Sequence, residues 1–268
     1  MYARVLLGLF LMLSSLMAGD DKFKISLGGM FVTEFETEMQ ISNEYLPIGA
    51  RVNTKDQLDM EVDSKVFRLD GSYRFTDTHS IEFTYFSVKS NSFKQLNRSI
   101  EFDGKVIEAG AMVDTYFDMD IYKLNYMYSF YHNDKVELGL LAGLHITTID
   151  LGLSANGTID GQVRQSYKSD TSPITLPLPV FGFKGEYAII KNKLYVNYKV
   201  DYLFLDYDNF KGKLLTSALN LEYNVMDHFG VGIGYNTNKI YVEDEDGNNN
   251  VEVFNILSGA MVYVSYRY

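Results

Sequence analysis

The chain contains no cysteine and no tryptophan, and only four of its 268 residues are proline. Without cysteine it can form no disulfide and carry no lipid-modified cysteine. Long apolar runs are also missing: beyond the first eighteen residues, none reaches the roughly 18–20 residues of a membrane-spanning helix. Basic residues are outnumbered, 24 against 35 acidic ones, for a net charge of −11. Nucleic acid is therefore not an expected partner, because its binding depends on Lys and Arg contacts to phosphate.

The first eighteen residues have the pattern of a secretory signal peptide. Residues 1–4 form a short positive start, residues 5–12 are apolar, and residues 14–18 are mostly small. Such a segment is too short to span a bilayer as a helix. We therefore expect cleavage after Ala18 or Gly19. Because composition does not change along the rest of the chain, residues 19–268 should form a single domain.

The last nine residues alternate in character and end in an aromatic side chain. Ala260, Val262, Val264, Tyr266 and Tyr268 share one face of a strand. In a bacterial outer membrane such a face meets lipid, and the 21 Tyr and 18 Phe of the chain suit interfacial girdles. The ending is similar to the signal read by the barrel-assembly machinery. We expect outer-membrane lipid, lipopolysaccharide and that machinery as partners, and the outer membrane as location.

Short polar turns alternate with longer polar loops, which is typical of outer-membrane barrels. The predicted turns are 76–79, 132–134, 191–193 and 226–228, and the predicted loops are 37–63, 91–113, 154–173, 208–213 and 243–250. Between them lie ten predicted strands: 23–35, 64–75, 80–90, 115–131, 135–151, 174–189, 194–207, 214–225, 229–242 and 251–268. The fold expected is all-β, a transmembrane antiparallel up-and-down β-barrel of ten strands. Eight or twelve strands stay open, since the first loop is long enough to hide a hairpin.

Alternation along each strand assigns side chains to lipid or to the lumen. Over residues 66–75, 122–130 and 194–204 the charged residues keep to the inward phase. The predicted lumen network comprises Arg68, Asp70, Arg74, Glu82, Lys123, Glu137, His145, Lys184, Glu186, Lys199, Asp201 and Glu222, with Lys24, Arg267 and Glu34 beside them. A ten-stranded barrel is only slightly wider than one filled by its own side chains, and unpaired buried charge is costly. We expect ion pairs that plug the lumen, with Arg74 and Glu82 paired across the turn at 76–79.

Several blocks of the chain carry a family likeness: residues 67–75, 79–85, 121–130, 137–145, 176–180, 221–224 and 232–236. They resemble a family of uncharacterised outer-membrane β-barrel proteins from proteobacteria. The likeness covers most of residues 64–240 and is weak in the loops. It implies the fold and the location, and it offers no catalytic residue to transfer.

Chemistry-bearing residues are sparse. Three histidines, His79, His132 and His228, fall in the predicted turns, whereas His145 faces the lumen. A general base at His145 remains possible because histidine as a residue type titrates near neutral pH, but no Ser or Asp stands at a spacing that marks it as a partner. Further candidates are two acid pairs, Asp118 with Asp120 and Asp206 with Asp208. The acidic run at 243–250 is another candidate, but it lacks one ligand of the twelve-residue calcium loop. We expect no catalytic residue, no cofactor and no metal.

The sequence thus favours an integral outer-membrane barrel without enzymatic activity and with a largely plugged lumen. Its role would be structural, surface contact or narrow permeability. Two alternatives stay open. The first is a lipid-modifying or protease-like enzyme that uses His145. The second is a small-solute channel or a lateral transporter of apolar molecules, for which Pro177 and Pro179 would weaken strand pairing because proline lacks a ladder donor.

Overall fold

The computed structural model describes residues 22–42, 52–53, 61–62, 66–102, 105–170, 173–246 and 249–268. The expected signal peptide at 1–18 and its cleavage site lie outside the described residues. Within these segments no helix has the length and apolar character needed to cross a membrane.

Strands dominate the described segments, and fifteen are formed there. They are β1 (Phe23–Ser42), β2 (Val52–Asn53), β3 (Glu61–Val62), β4 (Val66–Thr76), β5 (His79–Gln95), β6 (Ile100–Phe102), β7 (Lys105–Ile107), β8 (Met112–His132), β9 (Val136–Ile159), β10 (Gln162–Asp170), β11 (Ile174–Ile190), β12 (Leu194–Tyr207), β13 (Phe210–Asn224), β14 (Phe229–Asp246) and β15 (Asn249–Arg267).

Ten of these strands form a closed antiparallel ring, in the order β1, β4, β5, β8, β9, β11, β12, β13, β14 and β15. β15 returns to pair with β1 along its whole length. At this junction Phe23 N–H donates to the Tyr268 carbonyl at 2.9 Å, and Tyr268 N–H donates back at 2.8 Å. The two-residue strands β2 and β3 pair with β1 and β5 and stay outside the ring. The expected ten-stranded barrel is therefore confirmed.

The two ends of the barrel differ. At the end that carries the short turns, the strand limits agree with the expected ones within two residues. At the other end most strands run further, and β9 extends to Ile159. The loop expected at 208–213 is wrong, because β12 and β13 are joined by a two-residue turn at Asp208 and Asn209. Asp208 takes a left-handed conformation with φ 54°, which Asp tolerates better than most residues.

The outer face is apolar and exposed over the part of the wall nearest the short turns. Leu124, Leu140 and Val264 are each more than half exposed. Aromatic side chains gather near the turns, where His79 lies 6.0 Å from Phe75 and 5.7 Å from Tyr126 between ring centroids. An apolar wall edged by aromatic rings is the surface that a bilayer requires of a barrel.

β1 departs from the expected phase at one point. Its register with β15 shifts between Val32 and Glu34, so that β1 holds one extra residue there. A bulge of this kind reverses the alternation beyond it. Phe35 is buried as a result, and Glu34 lies exposed on the outside. The expected lumen position of Glu34 is therefore wrong.

Candidate functional site

Glu222 is the centre of the charge network near the short turns. Its side chain is fully buried and forms ion pairs with Lys24 Nζ, at 2.8 Å, and with the guanidinium of Arg267. Tyr263 donates its hydroxyl at 2.9 Å and Ser265 at 3.0 Å. Two cations and two hydroxyls thus satisfy one carboxylate, which is the arrangement that makes a buried charge tolerable. Four strands, β1, β13 and β15 with the neighbouring β14, converge on this end of the lumen.

A glycine makes room for the Tyr263 ring. Gly232 lies directly opposite Tyr263 in the β14–β15 register. A Cβ at position 232 would lie 2.1 Å from a ring carbon of Tyr263, far inside van der Waals contact. Any side chain at Gly232 would therefore displace the ring whose hydroxyl reaches Glu222.

The pairing expected between Arg74 and Glu82 is wrong. In the β4–β5 register Arg74 lies opposite Ser80, and Glu82 lies opposite Ser72. The Arg74 guanidinium instead contacts Glu137 on β9, which also accepts a hydrogen bond from Ser129. Because the lumen is narrow, a long side chain reaches past its neighbouring strand to a more distant one.

Glu82 is held from the opposite wall. Lys184 Nζ lies 2.5 Å from one carboxylate oxygen, and Lys199 Nζ lies 2.7 Å from the other. Glu186 lies on the same face of β11 as Lys184, two residues along, and its register partner is Glu137. These contacts cross the lumen from β5 to β11 and β12.

Arg68 and Asp70 form a pair within one strand. Arg68 Nε donates to one Asp70 oxygen at 2.8 Å and Nη2 donates to the other at 2.9 Å. Thr84 adds a hydrogen bond to Asp70 at 2.7 Å, and Arg68 Nη1 reaches Asn236 across the lumen at 3.1 Å. A two-pronged Arg–carboxylate contact fixes both side chains in orientation.

Lys123 and Asp201 are coupled more loosely. Their charged atoms are 3.9 Å apart, and Thr216 stands between them. Lys123 Nζ donates to the Thr216 hydroxyl at 3.0 Å, and that hydroxyl donates to Asp201 at 3.1 Å. Asn125 also donates to Asp201, at 3.3 Å. Lys123, Asp201 and Thr216 line a cavity of about 130 Å³ inside the barrel, together with other charged residues that include Lys24, Arg68 and Lys199.

His145 is fully buried at the edge of this polar zone that is farther from the short turns, which we call the upper edge. Its register partner on β8 is Lys123, and its Nε2 lies 3.0 Å from the Thr147 hydroxyl. In the part of the chain that the structure describes, no carboxylate pairs with His145. The histidine therefore lacks the orienting acid that a general base normally has.

The acid pairs considered from the sequence do not face the lumen. Asp118 and Asp120 lie on the outward face of β8, where Asp118 accepts from Lys89 at 3.0 Å and Asp120 accepts from Tyr85 at 3.2 Å. Asp208 occupies the turn after β12. In the acidic run at 243–250, Glu243 accepts from Lys211 at 3.1 Å; residues 247–248 lie outside the described residues.

Farther from the short turns than the polar zone, the barrel interior is mostly apolar, which the sequence did not lead us to expect. Phe86, Phe117 and Ile121 point inward and are at most 2% exposed. The hairpin of β6 and β7 adds buried side chains from the segment expected to be a polar loop: Ile100, Phe102 and Ile107. The signal was present in the sequence, because the phase that places Lys123 inside also places Phe117, Met119 and Ile121 inside.

The backbone ladder between β11 and β12 is open at the end far from the short turns. The two strands pair only from Ile190 and Leu194 up to Phe181 and Tyr202. Above that point β11 still pairs with β9 as far as Ile174, and β12 still pairs with β13 as far as Tyr207. The ladder between β11 and β12 therefore ends while both strands continue.

Two prolines explain where this ladder ends. Ala188 donates its N–H to Lys135 on the β9 side, at 2.7 Å. Because successive residues of a strand direct their N–H groups to opposite neighbours, Pro177 and Pro179 turn their nitrogens toward β12. Neither nitrogen carries a hydrogen, so two successive ladder bonds are lost.

The opening is backed by an apolar cluster. It is formed by Leu178, Val180, Leu203, Leu214, Ile240 and Val242. Outside, Phe181 is 70% exposed and Phe204 is 56% exposed. Phe181 stands nine residues above the end of β11, about 20–25 Å from the short-turn end for strands tilted by about 40°. The opening thus begins at about the height where an apolar band of about 25 Å ends.

A closed ring of ten antiparallel strands, with an apolar outer wall and charged side chains inside, defines an outer-membrane β-barrel protein. The chain belongs to this class, and its place is the bacterial outer membrane.

Comparison with solved structures includes one outer-membrane barrel of the same architecture. The chain is similar to the outer membrane protease OmpT from Escherichia coli, with a TM-score of 0.57 and 12% identity over 95% of this chain and 99% of that one. The toluene transporter TodX of P. putida matches with a TM-score of 0.37 and 10% identity over 94% and 91%. The attachment invasion locus protein Ail of Yersinia pestis has a TM-score of 0.27 and 10% identity over 91% and 99%. No family model and no curated protein matches. The similarity to OmpT shows the fold alone, and the TM-scores of the other two are too low to show even that.

Proposed function

We propose that the protein is a non-enzymatic outer-membrane barrel whose lumen does not conduct, with a structural or surface-contact role. It would belong with the uncharacterised proteobacterial barrels that its strand blocks resemble. Assembly machinery that reads the strand ending in Tyr268, and the lipopolysaccharide around the barrel, would be its partners.

Two successive barriers support this proposal. Near the short turns, the ion pairs of Glu222 and of Arg74 with Glu137 cross the lumen. Above the cavity, the inward side chains of Phe86, Phe117 and Ile121 fill the interior. An ion that crossed would have to separate buried charge pairs and then enter an apolar region, and both steps are costly.

Planar-bilayer recording of the refolded protein tests the closed lumen. We expect no stable conductance steps from preparations that a detergent gel shows to be folded, with a general porin inserted under the same conditions as the positive control. Large, stable steps from the folded protein would contradict the proposal and favour the small-solute channel.

The enzymatic alternative is tested at His145. A His145→Ala variant should leave lipid A structure, phospholipid turnover and protease activity of expressing cells the same as wild type. His145→Asn, which retains a polar side chain, serves as the control for packing. An activity that is present with wild type, lost in both variants, and absent from cells without the protein would overturn the non-enzymatic proposal.

One observation favours a second candidate function, the lateral uptake of small apolar molecules. The β11–β12 ladder ends at Phe181 and Tyr202, and the apolar cluster around Leu178 and Leu203 lies behind the unpaired stretch. An apolar molecule could leave the membrane there without crossing the charged zone.

Restoring the ladder donors tests this candidate. The double variant Pro177→Thr with Pro179→Thr returns both N–H groups, while Thr175→Val on the same face is the matched control. Uptake of a labelled aromatic hydrocarbon by expressing cells should fall toward the level of cells lacking the protein in the double variant only. Equal uptake by wild type, the double variant and cells without the protein would remove this candidate.

A further inference from the structure

Two lysines lie side by side on the outside of the barrel. Lys213 on β13 lies opposite Tyr241 on β14, and Lys239 on β14 lies opposite Leu215 on β13. Both lysines point outward, since the neighbouring Leu214 and Ile240 are buried. Lys213 and Lys239 are therefore diagonal neighbours, with a backbone separation of roughly 7–8 Å.

The height of the pair places it at the outer interface. Lys213 stands eleven residues above the lower end of β13, and Lys239 stands ten residues above the lower end of β14. With a net rise of about 2.5 Å per residue for tilted strands, both lie about 25–28 Å from the short-turn end. The apolar band of such a barrel is about 25 Å tall, so the ammonium groups reach the level of the lipid headgroups.

Neither lysine is neutralised by a carboxylate in the described ranges. Glu243, on the same wall, is already bound by Lys211 at 3.1 Å and by the Tyr241 hydroxyl at 2.7 Å. Lys213 Nζ instead lies over two aromatic rings, 5.6 Å from the centroid of Phe204 and 5.7 Å from that of Tyr241. The pair thus presents two ammonium groups that have no ion-pair partner among the described residues, on the outside of an acidic protein.

An apolar groove lies between the two lysines. It has a volume of about 140 Å³ and is lined by Lys213 and Lys239 together with apolar and aromatic residues that include Tyr202, Leu215, Tyr241 and Phe254. Cations within an apolar groove match the two parts of a phosphorylated lipid, whose phosphate is anionic and whose chain is apolar.

We propose that Lys213 and Lys239 bind the phosphate of an outer-leaflet lipid whose acyl chain lies in this groove. Charge complementarity at headgroup height, with apolar side chains beside both lysines, selects a phosphorylated lipid over a soluble anion. The site lies on the outer wall, so it is independent of whether the lumen conducts.

The test measures lipid affinity of the refolded full chain in detergent, by thermal shift or native mass spectrometry. The probes are lipid A carrying phosphate, the same lipid A after enzymatic dephosphorylation, and inorganic phosphate. Each of Lys213→Gln and Lys239→Gln should weaken binding of phosphorylated lipid A by roughly five-fold, and the double variant by roughly 25-fold. Dephosphorylated lipid A should bind wild type as weakly as phosphorylated lipid A binds the double variant.

Lys89→Gln is the matched control. Lys89 is also an outward lysine above the apolar wall, but Asp118 already neutralises it at 3.0 Å. Its loss should change affinity by less than about two-fold, because no unneutralised charge is removed. Unchanged affinity in the double variant would overturn the proposal. Competition by inorganic phosphate at the concentration at which lipid A binds would also overturn it, in favour of a soluble-anion site. Bilayer conductance plays no part in either outcome.

Discussion

Single carboxylates in the lumen collect donors from several strands. Glu222 on β13 receives groups from β1 and β15, and Glu82 on β5 receives groups from β11 and β12. Each such residue joins strands that are not neighbours in the ring. Loss of one donor therefore leaves a buried acid with fewer partners and weakens contacts among several strands at once.

The pair of Arg74 and Glu137 offers a direct measurement of this coupling. Both side chains are mostly buried, at 15% and 13% exposed. Arg74→Gln and Glu137→Gln each lower the free energy of unfolding. The sum of these two losses should exceed the loss in the double variant by about 1–3 kcal/mol, because each single change leaves one buried charge without its partner. Urea unfolding in lipid vesicles measures the four free energies.

The control for this cycle is Arg74→Gln combined with Glu82→Gln. Arg74 and Glu82 share a face of the β4–β5 hairpin but bind different partners, so their effects should add within about 0.5 kcal/mol. Strong coupling between Arg74 and Glu82, with none between Arg74 and Glu137, would contradict the pairing described here.

At the scale of the strand, alternation makes neighbouring residues respond differently to the same change. On β13 Leu219 is 52% exposed to lipid, while Asn220 faces the lumen cavity beside Asn197. Leu219→Lys should cost about 2–4 kcal/mol near the membrane midplane. Asn220→Lys should cost less, since the cavity is polar and Glu222 lies two residues along the same face.

Refolding yield and urea midpoint in vesicles compare the two β13 variants at nearly equal depth. An equal or larger loss for Asn220→Lys would mean that the assigned phase of β13 is wrong.

The sequence predicts the strands well where one face meets lipid, and less well where the strands extend beyond the apolar band on the side away from the short turns. Within the band, apolar and polar residues alternate, so Leu124 and Asn125 can be assigned without a structure. Beyond the band both faces are mixed, which is why the extension of β9 to Ile159 and the early start of β13 at Phe210 were missed. The bulge at Val32–Glu34 has no local signature, because its only effect is a change of phase.

Which charges meet is harder to predict than which charges face the lumen. Alternation places Arg74, Glu82 and Glu137 inside, but their pairing depends on how the strands are staggered when the sheet closes. Arg74 and Glu137 are 63 residues apart in the chain, on strands that are not adjacent. Spacing in the sequence favoured Glu82 as the partner of Arg74, because Glu82 is nearer in the chain. In the closed barrel the partner is Glu137.

For the whole molecule, closure of the ring should make the barrel resistant to detergent. All backbone ladders between neighbouring strands are formed within the apolar band, so detergent finds no unpaired strand edge at which unfolding could begin. Unboiled and boiled samples should migrate differently on a detergent gel. Identical migration of a preparation that circular dichroism shows to be folded in strands would contradict a closed barrel.

The seam between β1 and β15 also dictates when the barrel can form. Phe23 and Tyr268 meet although nearly the whole described chain separates them. Contacts of such large sequence separation form slowly, because the entropy of closing the loop must be overcome before they contribute. Until β15 arrives, β1 and β14 each present an unpaired edge open to pairing with another chain. Folding should therefore be governed by its last step, and a chain interrupted before β15 should associate with other chains instead of persisting as a partial barrel.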